Sequence, residues 1–188
     1  MRDIDARGAL AASPTSAERF EPATRPVDER DAGLVHALYL ATPSYFEMIA
    51  IPVPTAAEVR TELHAAAADA RRHVELVLAP SGEGGPGLLV DPRSGRPVAG
   101  VLDYKCDYPD VGDATINLVL IHQAWQGRGL GGAVVADLER RLRGRARRVL
   151  AAVYGRNPGA CGFWEHQGFR FAIDAQPVLD WYAKELPA

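Results

Sequence analysis

Trp125-Gln126-Gly127-Arg128-Gly129-Leu130-Gly131-Gly132 decides how the rest of this chain is read. The stretch lies between an apolar run, Ile116 to Ile121, and an amphipathic segment, Leu130 to Leu142, whose Leu130, Val134, Leu138 and Leu142 recur at i+4. Such spacing predicts a strand leading into a helix that packs one stripe on a sheet. Four glycines at the mouth of a helix let the backbone come close to a ligand. The first helical turn adds unpaired N–H donors and a partial positive charge. A concavity of that kind suits an anionic oxygen cluster such as a pyrophosphate, so the expected ligand is a nucleotide-type cofactor.

Gly127, Gly129 and Gly132 also satisfy G-x-G-x-x-G, the dinucleotide fingerprint. That fingerprint needs an acidic residue about 20 positions further on to hold a ribose hydroxyl. Between Arg140 and Trp164 there is no Asp or Glu, and no second strand–helix–strand unit follows. No Gly-Lys-Ser/Thr closes the loop, which excludes a Walker phosphate loop.

Gln126-Gly127-Arg128-Gly129-Leu130-Gly131 does fit Q/R-x-x-G-x-G/A, and in this it resembles the acyl-CoA pyrophosphate loop of the GNAT superfamily of N-acetyltransferases. The likeness extends in both directions. Arg25-Pro26-Val27-Asp28-Glu29-Arg30-Asp31-Ala32 is similar to the family's opening, a strand end running into the first helix. Asn157-Pro158-Gly159-Ala160-Cys161-Gly162-Phe163-Trp164-Glu165-His166-Gln167-Gly168-Phe169 is similar to its closing signature. The separation of Gln126 from Asn157 is typical, and the resemblance spans about residues 19 to 186. It implies one α/β domain over residues 19–188 with the GNAT fold: a mixed central sheet, splayed between its two central strands, with helices on both faces.

Size and composition agree with a single globular domain. A chain of 188 residues, 47% hydrophobic, can bury one substantial core. A net charge of −3 gives no reason to expect nucleic acid. Arg140, Arg141, Arg143, Arg145, Arg147, Arg148 and Arg156 form a local basic run. It reads either as a solvated helix end favoured by the helix dipole or as a source of one or two phosphate contacts; no aromatic residues interleave to stack bases. Cys106 and Cys161 make no C-x-x-C motif, the five histidines are scattered, and no metal site is expected. No stretch approaches 18 apolar residues, and Met1 to Leu10 lacks a signal-peptide core. A cytoplasmic protein with reduced thiols and no membrane partner is the expectation.

Along the chain, residues 1–18 read as a disordered leader and Phe20 to Val27 as a first strand. Asp28 to Leu40 has helical spacing, broken by Thr42-Pro43-Ser44-Tyr45-Phe46. Ile51 to Pro54 is loop; Thr55 and Glu58 form a capping box for a second helix reaching about Ala70. Val74 to Leu78 and Gly87 to Val90 read as strands joined by a flexible Pro80 to Pro86 segment. The turn Asp91-Pro92-Arg93-Ser94-Gly95 leads to a strand from Pro97 to Tyr104. Thr115 to Ile121 is apolar enough for a strand covered on both faces. Val149 to Tyr154 forms the next strand, Pro158 to about Gln167 a short helix, and Phe169 to Ile173 with Val178 to Lys184 a closing pair.

The resemblance implies acetyl-CoA as acyl donor and an amine, small-molecule or peptide, as acceptor; a homodimer is common in such proteins. Its pantetheine arm would fill the splay and bond to main-chain groups of Val119, Leu120 and Ile121. Pyrophosphate would rest on the amides of Gly127, Gly129, Gly131 and Gly132, with Gln126, Arg128 and Leu130 beside it. Asn157 would hydrogen-bond the arm, and Ala160, Phe163 and Trp164 would wall it. Core packing for Phe163 and Trp164, and a helix N-cap role for Asn157, are open alternatives.

Transfer to an amine requires a neutral nitrogen, a stabilised oxyanion and a leaving thiolate. Here the chain departs from the family, with Asn117 where a Glu base is common and Trp164 where a Tyr acid is common. Asp103 and Tyr104, followed by Asp107 and Asp110, are substitute candidates near the splay, against a solvated strand end. Tyr154 could protonate the sulfur, against a structural role. His122 and Cys161 are weaker candidates. Tyr45, Phe46 and Glu47 fall where the family builds its acceptor pocket, against helix-end packing. An acyl-CoA-binding module without turnover, another acyl group and a hydroxyl acceptor are the competing readings.

Overall fold

The computed structural model describes residues 22–80, 87–155, 157–176 and 179–187. The expected leader over residues 1–18 and most of the Pro80–Pro86 segment lie outside them, as do Arg156 and Val178.

Seven strands form one sheet in the order β1-β2-β3-β4-β5-β7-β6. They are β1 (Ala23–Pro26), β2 (Arg72–Leu78), β3 (Val98–Cys106), β4 (Asp113–Ile121), β5 (Arg148–Tyr154), β6 (Arg170–Gln176) and β7 (Leu179–Glu185). All neighbours run antiparallel except β4 and β5. Joining that parallel pair requires a crossover, which the helix α4 (Leu130–Leu142) supplies. The four-strand antiparallel half is closed by α1 (Ala32–Leu40), α2 (Pro43–Met48) and α3 (Ala56–Ala68), and α5 (Pro158–His166) follows β5.

Two apolar layers sandwich the sheet. On one face Val35, Leu38, Val59 and Leu63, from α1 and α3, pack on Leu76, Val101 and Leu120. On the other, Leu130, Val134 and Leu138 of α4 and Trp164 of α5 pack on Leu102, Ile116 and Val149. The i+4 stripe of α4 is buried as its spacing predicts. Helices therefore cover both faces.

Local signals account for most element ends. Thr55 and Glu58 form the expected capping box: the Thr55 Oγ1 accepts from Glu58 N, and the Glu58 carboxylate accepts from Thr55 N at 2.7 Å. Three expectations need correction. The Asp28 to Leu40 segment is not one helix but a 3-10 turn, Glu29–Asp31, capped by Asp28, followed by α1. Thr42 to Phe46 does not simply break that helix, because Pro43 opens α2 at a position where its missing N–H costs nothing. Gly87 to Val90 is no strand: the tight turn at Asp91–Gly95 leaves only a single bridge, Val90 to Pro97.

Two irregularities position the site. Asp103 pairs with Leu118 and Tyr104 with Ile116, so Asn117 is an extra residue, a bulge on β4. The β4–β5 ladder runs only from Asp113–Arg148 to Ile116–Ala151. Beyond it, Asn117–Ile121 and Ala152–Tyr154 diverge, and the sheet opens between them.

Candidate active site

The opening between β4 and β5 is a narrow wedge lined by Ile116, Val119, Ala152, Tyr154, Asn157 and Trp164. The His122 N–H donates to the Ala99 carbonyl at 2.9 Å. Alternation of an antiparallel ladder then turns the main-chain groups of Val119 and Ile121 away from β3 and toward the wedge. Leu120 is turned the other way. Its carbonyl faces β3 so closely that a Cβ on Gly100 would lie 2.4 Å from it. Of the three residues expected to hold an extended arm, two thus turn their backbone to the wedge, where the Ile121 carbonyl accepts from Gln126, and Leu120 does not.

At the end of β4 the chain makes a 3-10 turn, Gln123–Trp125, and enters the glycine loop. Gly127 and Gly129 adopt φ of 72° and 78°, a left-handed backbone that L side chains rarely take. A Cβ on either would meet none of the described atoms within 4 Å, so the loop faces open space at the N-terminus of α4. Gly131 and Gly132 serve a different need. A Cβ there would press on the Phe163 ring at 3.3 Å and the Gln167 amide at 3.1 Å, so these glycines let α4 and α5 approach. Arg128 lies over the Trp125 ring, 5.1 Å from its centre. Leu130 is buried in the core. Gln126 folds back, its Nε2 donating to the Ile121 carbonyl at 2.8 Å. A concave, glycine-lined backbone at a helix N-terminus, with the wedge-facing backbone of Val119 leading up to it, fits an extended ligand ending in a diphosphate. The arginines of the basic run from Arg140 to Arg148 sit at the other end of α4, roughly 20 Å away at about 1.5 Å per residue. Arg141 pairs with Glu75, and Arg147 and Arg148 with Asp113.

Asn157 caps α5, its Oδ1 accepting from Ala160 N at 2.8 Å, while its side chain also lines the wedge. Trp164 is both core and wall: buried, against Phe163 and Phe169, it lines the wedge as well. Ala160 lines it too, whereas Cys161 packs only against the core.

A second, larger cavity of about 500 Å³ opens beside the wedge, between α2, α3 and the edges of β2 to β4. The two share Tyr45, Ile49, Asn117 and Leu118. Tyr45 and Phe46 both line the larger one, Phe46 sandwiched between Tyr39 and Tyr45 with ring centres 5.1 Å apart on each side. Burial and the nearby Tyr154 push the Tyr45 hydroxyl up to about 12. Glu47 is exposed on α2 and does not reach the cavity.

Asp103 lies on the floor of this cavity. Its carboxylate accepts from Arg72 Nη2 at 2.7 Å and from Asn117 Nδ2 at 3.0 Å. Tyr104 does not join it. As the next residue on β3 it points to the opposite face, stacked on His73, with its hydroxyl donating to Glu75. Asp107 and Asp110 lie in the β3–β4 connection, away from both cavities, where the Asp107 carboxylate accepts from Gly112 N and the Asp110 main-chain carbonyl from Asp113 N. His122 caps the turn after β4, its Nδ1 accepting from Ala124 N, and burial lowers its pKa. Arg72, Glu62 and Tyr39, which also line the cavity, escaped the sequence reading. Among the described residues no cluster of three His, Cys, Asp or Glu could hold a metal, and no helix could cross a membrane.

The model of the Acetyltransferase (GNAT) family matches residues 55–169. An acetyltransferase crystal structure from Thermus thermophilus is 35% identical, superposes with a TM-score of 0.78, and is covered over 99% of its length by 89% of this chain. The Salmonella typhimurium enzyme that modifies the N-terminal serine of ribosomal protein L7/L12 is 15% identical, with a TM-score of 0.70 over 92% of this chain and 98% of that one. Aminoglycoside acetyltransferase AAC(6')-Ib, solved with coenzyme A, is 16% identical, with a TM-score of 0.66 over 87% and 94%. The last two share the fold. A search of curated proteins gave no match.

Proposed function

Because the chain belongs to the GNAT family of acetyltransferases, we propose that it transfers the acetyl group of acetyl-CoA to a primary amine. The observation that carries this reading is the joining of two cavities at Asn117. One is a wedge with strand backbone turned toward it and a glycine cradle at its end; the other is a half-open cavity that shares Asn117 with it.

In this reading the arm of acetyl-CoA lies along Val119 and Ile121, Gly127 and Gly129 cradle the pyrophosphate, and the thioester sits near Asn117. The acceptor nitrogen forms a bond to the carbonyl carbon and the carbon–sulfur bond breaks. The nitrogen's proton leaves through water ordered by the Asp103–Asn117 pair, and the departing thiolate takes a proton from a tyrosine. Tyr154, at the end of β5, and Tyr45, facing it, both line the wedge. A Val119 N–H turned to the wedge can meet the developing oxyanion. Tyr104, on the far face, has no part.

Calorimetric titration with acetyl-CoA, followed by thiol release in the presence of amines, tests the proposal. Binding with turnover upholds it. A second reading, an acyl-CoA-binding module, is favoured by Asn117 and Trp164 standing where family members carry Glu and Tyr. It predicts tight binding and no thiol release with any amine.

A further inference from the structure

The larger cavity has a lining whose chemistry is selective. Its walls are Tyr39, Phe46, Val53, Val59, Leu63 and Val74, all apolar or aromatic. At its rim Ile51 stays 49% exposed, an apolar side chain held at the entrance. A half-open cleft of about 500 Å³ suits a single small molecule better than a flat protein surface.

The charges within it are already committed. Three carboxylates (Glu58, Glu62, Asp103) and one guanidinium (Arg72) line the cavity, a net of −2. Glu58 is held by Thr55 in the cap of α3. Glu62 and Asp103 both accept from Arg72. This surplus attracts an ammonium. Glu58 and Glu62 are exposed at the rim, where water screens them and a second cation gains little; carried deeper with the body of the acceptor, that cation would lie against the apolar wall, poorly solvated. A carboxylate on the acceptor would meet three like charges, while the guanidinium that could have bound it is occupied.

Resting on the transferase reading, we propose that the acceptor is a compact monoamine with an aromatic or branched aliphatic body, bearing neither a carboxylate nor a second cation. Its amine enters at Asn117 and its apolar body fills the space between α2 and α3. Tyr39, Phe46 and Val53 set specificity.

The test compares thiol release with acetyl-CoA and five amines: 2-phenylethylamine, isoamylamine, leucine, spermidine and a short peptide with a free N-terminus. The first two should exceed the others in kcat/KM by at least about tenfold. Ile51→Glu and Val53→Glu should raise KM for 2-phenylethylamine by about tenfold and leave the acetyl-CoA Kd unchanged. Equal or better turnover of leucine, spermidine or the peptide would overturn the acceptor assignment while leaving the transferase reading intact. Acetyl-CoA binding without thiol release from any amine would instead remove the transferase reading. In that event direct calorimetry of the same amines decides the cavity: binding of 2-phenylethylamine but not spermidine supports its selectivity, and the reverse overturns it.

Discussion

Asn117 and Asp103 face one another across the β3–β4 ladder, the amide nitrogen donating to the carboxylate at 3.0 Å at the one place where β4 carries an extra residue. Arg72 grips the same carboxylate with a fork of two nitrogens. The side chain standing where the family often has a base is therefore an amide oriented by a carboxylate one strand away. If the two act as a unit, Asp103→Ala and Asn117→Ala each lower kcat by about 100-fold. The double variant then falls no further, because a unit broken once is already lost. Thiol-release kinetics on all three variants, with acetyl-CoA affinity measured in parallel, check this. Independent, additive losses would show that the pair does not work together.

The glycine cradle gives a second expectation. Gly129→Glu forces a side chain onto a left-handed backbone, costing roughly 1–2 kcal/mol, and points a negative charge at the helix N-terminus. Acetyl-CoA affinity should fall at least about 100-fold, since the backbone donors would then face a competing anion. Circular dichroism should remain that of the parent, because the position faces open space. Retained affinity would remove the loop from the binding site.

Gly100 is needed for room. Its added Cβ would sit 2.4 Å from the Leu120 carbonyl, a contact with backbone that no rotamer can relieve. Gly100→Val should cost about 2 to 3 kcal/mol in urea unfolding and also weaken acetyl-CoA, because β4 is the wall that must shift. Unchanged stability would mean that β3 and β4 can separate freely.

Three of the six tyrosines are protected from ionising. Burial is the chief cause for Tyr39, Tyr45 and Tyr104, each pushed up to about 12. A folded-state value above the unfolded one means that the neutral hydroxyl stabilises the native protein. That contribution is complete below about pH 10 and disappears as pH rises toward 12. Ultraviolet titration should show a late tyrosine step that moves down to the ordinary range in urea, and thermal stability should drop across the same window. A single tyrosine transition near pH 10 in the folded protein would contradict it.

The strand, glycine loop and helix of the wedge were legible because their signals are local. A glycine run at a helix mouth, an i+4 stripe and an apolar strand each lie within a dozen residues. The larger cavity was legible only in part: Tyr45, Phe46 and Asp103 were singled out, but Arg72, Glu62 and Tyr39 come from three further elements and meet them only through tertiary packing. Some of what was missed was within reach. Strand alternation alone sends Asp103 and Tyr104 to opposite faces, so the two could never have served one reaction centre. The same rule separates the backbone of Leu120 from that of Val119 and Ile121. The bulge at Asn117 had no such signal: Ile116 to Ile121 reads as a uniform apolar run around one asparagine, and nothing in it marks an extra residue.

That extra residue resets the phase of β4. Before it, Ala114 and Ile116 look toward α4; after it, Asn117 and Leu118 look together toward α1 and α3, and Val119 and Ile121 return to α4. Excising Asn117 would let Ile116 and Leu118 alternate regularly opposite Tyr104 and Asp103, and would leave every downstream side chain on its present face. The helices, the glycines and the backbone along the wedge would keep their places, and only the amide that Asp103 orients would be lost. A chain shortened by this single unit would still present the same edge to its ligand and would show what the asparagine alone adds.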